Sequence, residues 1–132
     1  MWQTDAIVSI VGDTAVTGTA QPILRRQGDT WDAKRELLLS LRDCFPARAP
    51  WRQRLTERAT EAIAAQESAG VARYHDNWRE ELVGVFHPRQ FYLCQDGMHY
   101  FFPFQSIAPA IEGIPTFCMA YDEVNGPFVP RI

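Results

Sequence analysis

The sequence has little cysteine or histidine, and no local motif combines the two. Three cysteines and three histidines occur among 132 residues, without a Cys-x-x-Cys, His-Glu-x-x-His or Gly-x-Ser-x-Gly motif. The usual local signatures of zinc proteins, metalloproteases and serine hydrolases are therefore missing, and we expect no catalytic residues and no cofactor. The odd number and wide spacing of Cys44, Cys94 and Cys118 predict three free thiols in a reducing compartment.

Long apolar runs and an excess of positive charge are also missing. No stretch approaches the roughly 20 apolar residues of a membrane helix, so we expect no membrane insertion. The apolar patch within residues 1–11 has no preceding Lys or Arg, which does not fit a signal peptide. The net charge of −3 disfavours general nucleic-acid binding. We expect a cytoplasmic chain as the sequence stands, or an extracytoplasmic one if it is a fragment of a larger protein.

The composition is that of an ordinary globular protein. The apolar fraction of 46% and the charged fraction of 22% are normal for such proteins. A chain of this length buries enough apolar surface to fold without a metal or a disulfide. We therefore predict a single domain over residues 1–132.

The apolar pattern predicts strands at both ends of the chain and two helices between them. Residues 7–17 and 23–33 read as strands, each interrupted by a Gly-Asp pair that suggests a bulge or bend. A helix between Pro50 and Gly70 has an apolar stripe at helical spacing. A second helix begins at Asn77 with a capping-box pattern and stops before Pro88.

The pair Asp96-Gly97 lies between two apolar stretches and predicts a β-hairpin with a two-residue turn. In that register Cys94 faces His99 and Leu93 faces Tyr100. The last strand is predicted over residues 116–121. Strands, then helices, then strands indicate an α+β fold, with one mostly antiparallel sheet and two helices packed on one face.

Residues 91–124 resemble the C-terminal signature of the DUF3298 family, a domain of unknown function. They read FYLCQDGMHYFFPFQSIAPAIEGIPTFCMAYDEV. Upstream, Thr30-Trp31-Asp32 followed by LLLSLRDCF extends the resemblance over most of the chain. The matching positions in the C-terminal signature are Phe91, Leu93, Gly97, Pro103, Ile107, Ala108, Pro109, Gly113, Ile114, Pro115 and Tyr121.

The resemblance implies an α+β domain that is used for recognition and not for chemistry. Members occur in anti-sigma-factor sensors outside the bacterial membrane and beside peptidoglycan deacetylase domains. This chain departs from the family pattern at a Gly-Gly-Ala-His stretch, where it has residues 18–21, Gly-Thr-Ala-Gln. In the proline loop it has Phe104, Gln105 and Ala110 in place of a tyrosine, a glutamate and a second tyrosine.

Two groups of residues are candidates for a site. Cys94 and His99 as cross-strand neighbours, with Cys118 on another strand, offer at most three ligands where zinc takes four, so we expect no metal site. The apolar loop of residues 103–115 is a candidate partner-docking loop, or alternatively a cap on the sheet. We expect two of its bulky side chains to be buried and two to be at least partly exposed. The buried pair is Ile107 and Ile114, and the exposed pair is Phe104 and Ile111.

These observations favour a non-catalytic binding or sensing module whose partner is a protein or a cell-wall glycan. The alternative is a cytosolic structural or regulatory protein that acts through self-association. A homo-oligomer is compatible with both.

Overall fold

The structure is a computed structural model that describes residues 1–4, 7–16 and 23–124. Strands, helices and again strands follow one another, as the sequence predicts. The strands are β1 (Trp2–Gln3), β2 (Ile7–Val16), β3 (Ile23–Asp32), β4 (Leu37–Leu38), β5 (Phe91–Leu93), β6 (Met98–Phe101) and β7 (Thr116–Met119). The helices are α1 (Trp51–Ala69), α2 (Trp78–Gly84) and the short α3 (Tyr121–Val124), with single 3-10 turns at Leu41–Cys44 and Ala110–Glu112.

The strands form two antiparallel sheets. The first has the order β1-β2-β3-β4 and the second the order β5-β6-β7. The α+β class and the antiparallel pairing are confirmed, but the described strands are divided between two sheets where one was predicted. At their junction the Leu93 N–H donates to Ser9 Oγ at 2.8 Å. The contact between β5 and β2 therefore includes a hydrogen bond to the Ser9 side chain, whereas paired strands are joined by backbone hydrogen bonds.

The β2–β3 ladder runs without the predicted bulge or bend. Gly12 pairs with Gln27, and Gly28 pairs with Val11, in continuous register. Gly28 serves a different purpose, because a Cβ there would lie 2.0 Å from the carbonyl oxygen of Phe91. The glycine therefore lets the backbone of β5 approach β3. The predicted end of the first strand at residue 17 lies outside the described residues.

Helix α1 confirms the predicted helix between Pro50 and Gly70. Gly70 ends it with a left-handed φ of 69°, which glycine adopts without steric cost. Its face of Leu55, Ala59 and Ile63 is buried, and the helix packs against β7. Among the described residues, no helix has both the length and the apolar character needed to cross a membrane.

Helix α2 packs beside α1 and buries Trp78 and Leu82. The predicted capping box at its start is not formed, because the Asn77 side chain makes no capping hydrogen bond. The helix ends at Gly84, ahead of Pro88, as predicted.

A four-residue loop closes the β5–β6 hairpin, so the predicted two-residue turn is wrong. Leu93 pairs with Met98, and Tyr92 pairs with His99. This register differs by two residues from the predicted one. Because side chains alternate with a period of two, the faces are preserved. Phe91, Leu93, Met98, Tyr100 and Phe102 therefore still share one buried face.

The last strand is shorter than predicted. It ends at Met119, and the chain then forms the helical turn α3. The turn brings the ring of Tyr121 onto that of Trp2, with ring centroids 6.0 Å apart. The C-terminal end of the described chain is thereby packed against β1.

Gly97→Val should destabilise the protein by about 1–3 kcal/mol. A Cβ at Gly97 would lie 2.6 Å from the carbonyl oxygen of Met119 and 3.0 Å from Cys118 Sγ, so β7 would have to move. Denaturant unfolding measures the loss. Gly12→Val is the control, because a Cβ there meets nothing within 4 Å. Equal losses for the two variants would contradict this account.

Candidate functional site

The proline loop, residues 103–115, does not present its four predicted side chains as one surface. Ile107 is fully buried and Ile111 is 87% exposed, while Phe104 and Ile114 are half-buried. Ile114 is less buried than expected, because Pro115, Phe117 and Met119 take the inward positions of the alternating chain. The docking role of the loop stays a prediction.

Backbone hydrogen bonds attach this loop to the rest of the protein. The His75 N–H donates to the carbonyl of Ile107 at 2.9 Å, and the Phe102 N–H donates to the carbonyl of Pro115 at 2.9 Å. The Arg73 N–H donates to Glu112 Oε1 at 3.1 Å. The loop therefore bridges the helices and the second sheet, which fits a structural role for Ile107.

A second apolar surface, which sequence reasoning missed, lies on the first sheet. Val8 pairs with Trp31, and Trp31 pairs with Leu38, so these three side chains point to one side of the sheet together with Ile10. Trp31 is 42% exposed and Ile10 is 45% exposed. We call Val8, Ile10, Trp31 and Leu38 the Trp31 face.

The opposite side of the same sheet faces the core. Ile7, Ser9, Thr30 and Asp32 are all buried there. Asp32 is satisfied locally, because its Oδ1 accepts hydrogen bonds from the N–H groups of Lys34 and Arg35 at 3.0 and 3.2 Å. The sheet therefore buries both polar and apolar side chains on this side. Its other side carries the Trp31 face together with the polar residues Gln3, Arg25, Gln27 and Asp29.

Among the described residues, strand β2 has an open backbone edge next to the Trp31 face. Its neighbour β1 pairs only with Val8 and Ser9, so within the described chain residues 10–16 pair with β3 alone. The strand contains neither Lys nor Pro, which commonly protect such edges from pairing with other chains.

Arg26 ties the far part of the β2–β3 hairpin to the second sheet. It donates to both carboxylate oxygens of Asp13, at 2.7 and 2.9 Å, and to Thr116 Oγ1 at 2.7 Å. The hydrogen bond from Arg26 lowers the pKa of the Asp13 carboxyl. These hydrogen bonds of Arg26 thus hold the far part of the β2–β3 hairpin, which includes the open edge of β2, against the second sheet.

The loop of the β5–β6 hairpin gathers three potential metal ligands. One ligand atom each from Cys94, Asp96 and His99 lies within 4.8 Å of the others. His99 Nε2 is 2.9 Å from Asp96 Oδ1, and this hydrogen bond lowers the pKa of Asp96. The sequence pointed to Asp96 only as a turn residue, because a two-residue turn gives it no partner. Cys118 pairs with His99 on the adjacent strand but is not one of the three converging residues.

Several grooves lie on the described surface, and one of about 380 Å³ is lined by Arg58, Glu61 and Cys118 among others. The one at the start of α1 measures about 500 Å³, and its lining contains no histidine or cysteine. Another, of about 240 Å³, lies beside Cys94. The α1 groove is lined by Ala49, Pro50, Trp51, Arg52, Gln53, Thr56 and Glu57.

Comparisons with known proteins bear on the fold. No family model matches the sequence, and no curated protein matches it. The structure is similar to the crystal structure of a DUF3298 family protein from Pseudomonas aeruginosa PAO1, with a TM-score of 0.68 and 21% sequence identity. The match covers 98% of this chain and 61% of that one. The chain therefore has the fold of a DUF3298 protein, as its sequence resemblance implies, and it spans about three fifths of that relative's length.

Ile107→Ser should cost about 2–5 kcal/mol of stability, because it removes fully buried methylenes from the core. Ile111→Ser should change stability by no more than about 0.5 kcal/mol, since the side chain is exposed. Chemical denaturation of both variants measures the difference. Similar losses for the two variants would contradict the described burial.

Thiol titration should find three free thiols in the unfolded protein, and in the folded protein two thiols that react faster than the third. All three cysteines are free, and burial raises the pKa of Cys44 to about 12, so its reactive thiolate is scarce. Burial also raises the pKa of Cys94 and Cys118, but both are only half-buried and accessible to the reagent. A disulfide, seen as a single free thiol after unfolding without reductant, would contradict the described cysteine state.

Proposed function

We propose that this chain is a non-catalytic protein-binding module whose main contact surface is the Trp31 face. The observation that carries the proposal is the 42% exposure of a tryptophan beside the exposed Ile10, on a sheet whose other side is buried. Tryptophan is enriched among the residues that dominate binding energy at protein interfaces. Clustered exposed apolar side chains are typical of interaction sites.

The open edge of β2 supports a protein partner over a glycan. An extended peptide that pairs with residues 10–16 would satisfy the outward backbone N–H and C=O groups of that edge. Its alternate side chains would lie beside Ile10, on the side of the sheet that carries Trp31. Sugar hydroxyls have no comparable repeat along a strand.

A binding role is favoured over catalysis by where the reactive side chains lie. The His99–Asp96 pair occupies a hairpin tip, and Asp96 is exposed. The thiol of Cys44 is buried and has a raised pKa. Neither arrangement provides the activated nucleophile in a cleft that covalent catalysis requires.

Trp31→Ala should weaken partner binding by about 30-fold or more, the loss expected for a central tryptophan. Immobilised wild-type domain retains candidate proteins from an extract of the native organism. Each candidate is then purified and titrated against both forms by calorimetry. Melting of the free variant verifies that it is folded.

Ile111→Ser is the control, because it removes an exposed apolar side chain from the proline loop, away from the Trp31 face. It should bind the purified partner with wild-type affinity. Loss of binding in Ile111→Ser, with Trp31→Ala unaffected, would place the contact in the proline loop and refute the proposal. Sedimentation of the isolated chain tests the alternative. A stable dimer that Trp31→Ala dissociates, without any captured partner, would indicate self-association.

A further inference from the structure

The tip of the β5–β6 hairpin carries three side chains of the types that bind divalent metal ions. The ligand atoms of Cys94, Asp96 and His99 lie within 4.8 Å of one another. With metal–ligand bonds of about 2.0–2.3 Å, ligand atoms in a tetrahedral zinc site are about 3.3–3.8 Å apart. Side-chain movements of about an ångström therefore bring the three ligand atoms to the separations that one bound ion requires.

His99 is already oriented toward this centre. Its Nε2 faces Asp96 Oδ1 at 2.9 Å, and its ring is stacked on Tyr92, with centroids 5.1 Å apart and an interplanar angle of 9°. Because an ionised carboxylate only accepts, Nε2 carries the proton between them. A cation can replace that proton while the imidazole stays neutral in its other tautomer.

The loop that carries Cys94 is held in place from two sides. The Cys94 N–H donates to the carbonyl of Gly97 at 3.0 Å, and the Tyr121 hydroxyl donates to the carbonyl of Cys94. A ligand set on a backbone fixed in this way loses little conformational entropy when an ion binds. Asp96 is the exposed member of the group, so an ion has direct access from solvent.

We propose that Cys94, Asp96 and His99 form a binding site for one zinc-type divalent cation, with the remaining coordination position open to solvent. A thiolate, an imidazole and a carboxylate together suit Zn²⁺ and its spectroscopic substitute Co²⁺ better than Mg²⁺ or Ca²⁺, which take oxygen ligands. The sequence-based expectation of no metal counted Cys94, His99 and Cys118 and required a fourth protein ligand. Here Asp96 converges in place of Cys118, and solvent supplies the fourth ligand. It lies apart from the Trp31 face and does not depend on the proposed binding function.

The test is titration of the reduced, metal-free chain with Co²⁺, followed by displacement with Zn²⁺. We expect one ion per chain by native mass spectrometry and a thiolate-to-cobalt charge-transfer band in the near ultraviolet. Cys94→Ser should abolish that band. Asp96→Asn and His99→Asn should keep it but weaken binding at least about tenfold, since even supporting residues of metal sites contribute that much.

Two variants serve as matched controls. His75→Asn removes the other histidine–carboxylate pair, in which His75 Nδ1 lies 2.8 Å from Glu81 Oε1, and Cys44→Ala removes the buried thiol. Both should bind Co²⁺ like the wild type. Absence of saturable binding, an unchanged charge-transfer band in Cys94→Ser, or wild-type affinity in both Asp96→Asn and His99→Asn would overturn the proposal. Circular dichroism without metal confirms that each variant is folded before titration.

Discussion

The junction between the two sheets depends on a hydrogen bond to the Ser9 side chain and on a glycine, Gly28, where a side chain would collide with β5. Ser9 Oγ accepts the Leu93 N–H at 2.8 Å and shares a hydrogen bond with Thr30 Oγ1 at 2.9 Å. Ser9 and Thr30 are both buried, and buried polar groups are costly without partners. Gly28 adds the space that the carbonyl of Phe91 occupies. Together these contacts determine where β5 lies against β2 and β3.

The position of β5 in turn orients the second sheet over the core. Phe91 and Leu93 point inward from β5, and Tyr100 points inward from β6 to donate its hydroxyl to the carbonyl of Leu55 at 2.6 Å. Burial and this hydrogen bond connect the sheet directly to α1. One continuous apolar cluster therefore includes residues from both sheets, α1 and α2.

The same arrangement decides which surfaces stay open. The first sheet uses one side to meet β5, and within the described chain this leaves the Trp31 face and the outer edge of β2 open. The second sheet uses one side to meet α1, and this leaves the face of Tyr92 and His99 half-exposed. The proposed protein contact and the proposed metal site thus lie on different sheets. Each lies on the side of its sheet that faces away from the core.

Local chemistry was enough to predict much of the secondary structure. Pro50 and Gly70 bound α1 because their backbone preferences act within one helical turn. The existence of the hairpin around Asp96-Gly97, and the grouping of Phe91 with Leu93 on one face, follow from turn chemistry and alternation. The length of its loop did not follow from them. The resemblance in residues 91–124 likewise predicted the fold that the P. aeruginosa structure shares.

The sequence by itself therefore determined the class of fold, the two longer helices and which side chains of the β5–β6 hairpin share a face, since these depend on residues close together in the chain. Only the tertiary structure decided the division into two sheets, the role of Gly28 and the exposure of Trp31. It also decided the convergence of Asp96 with Cys94 and His99, because the loop length depends on how β5, β6 and β7 pair. The reason is that contacts such as Gly28 with Phe91 join residues far apart in the chain. No pattern of neighbouring residues encodes such distances.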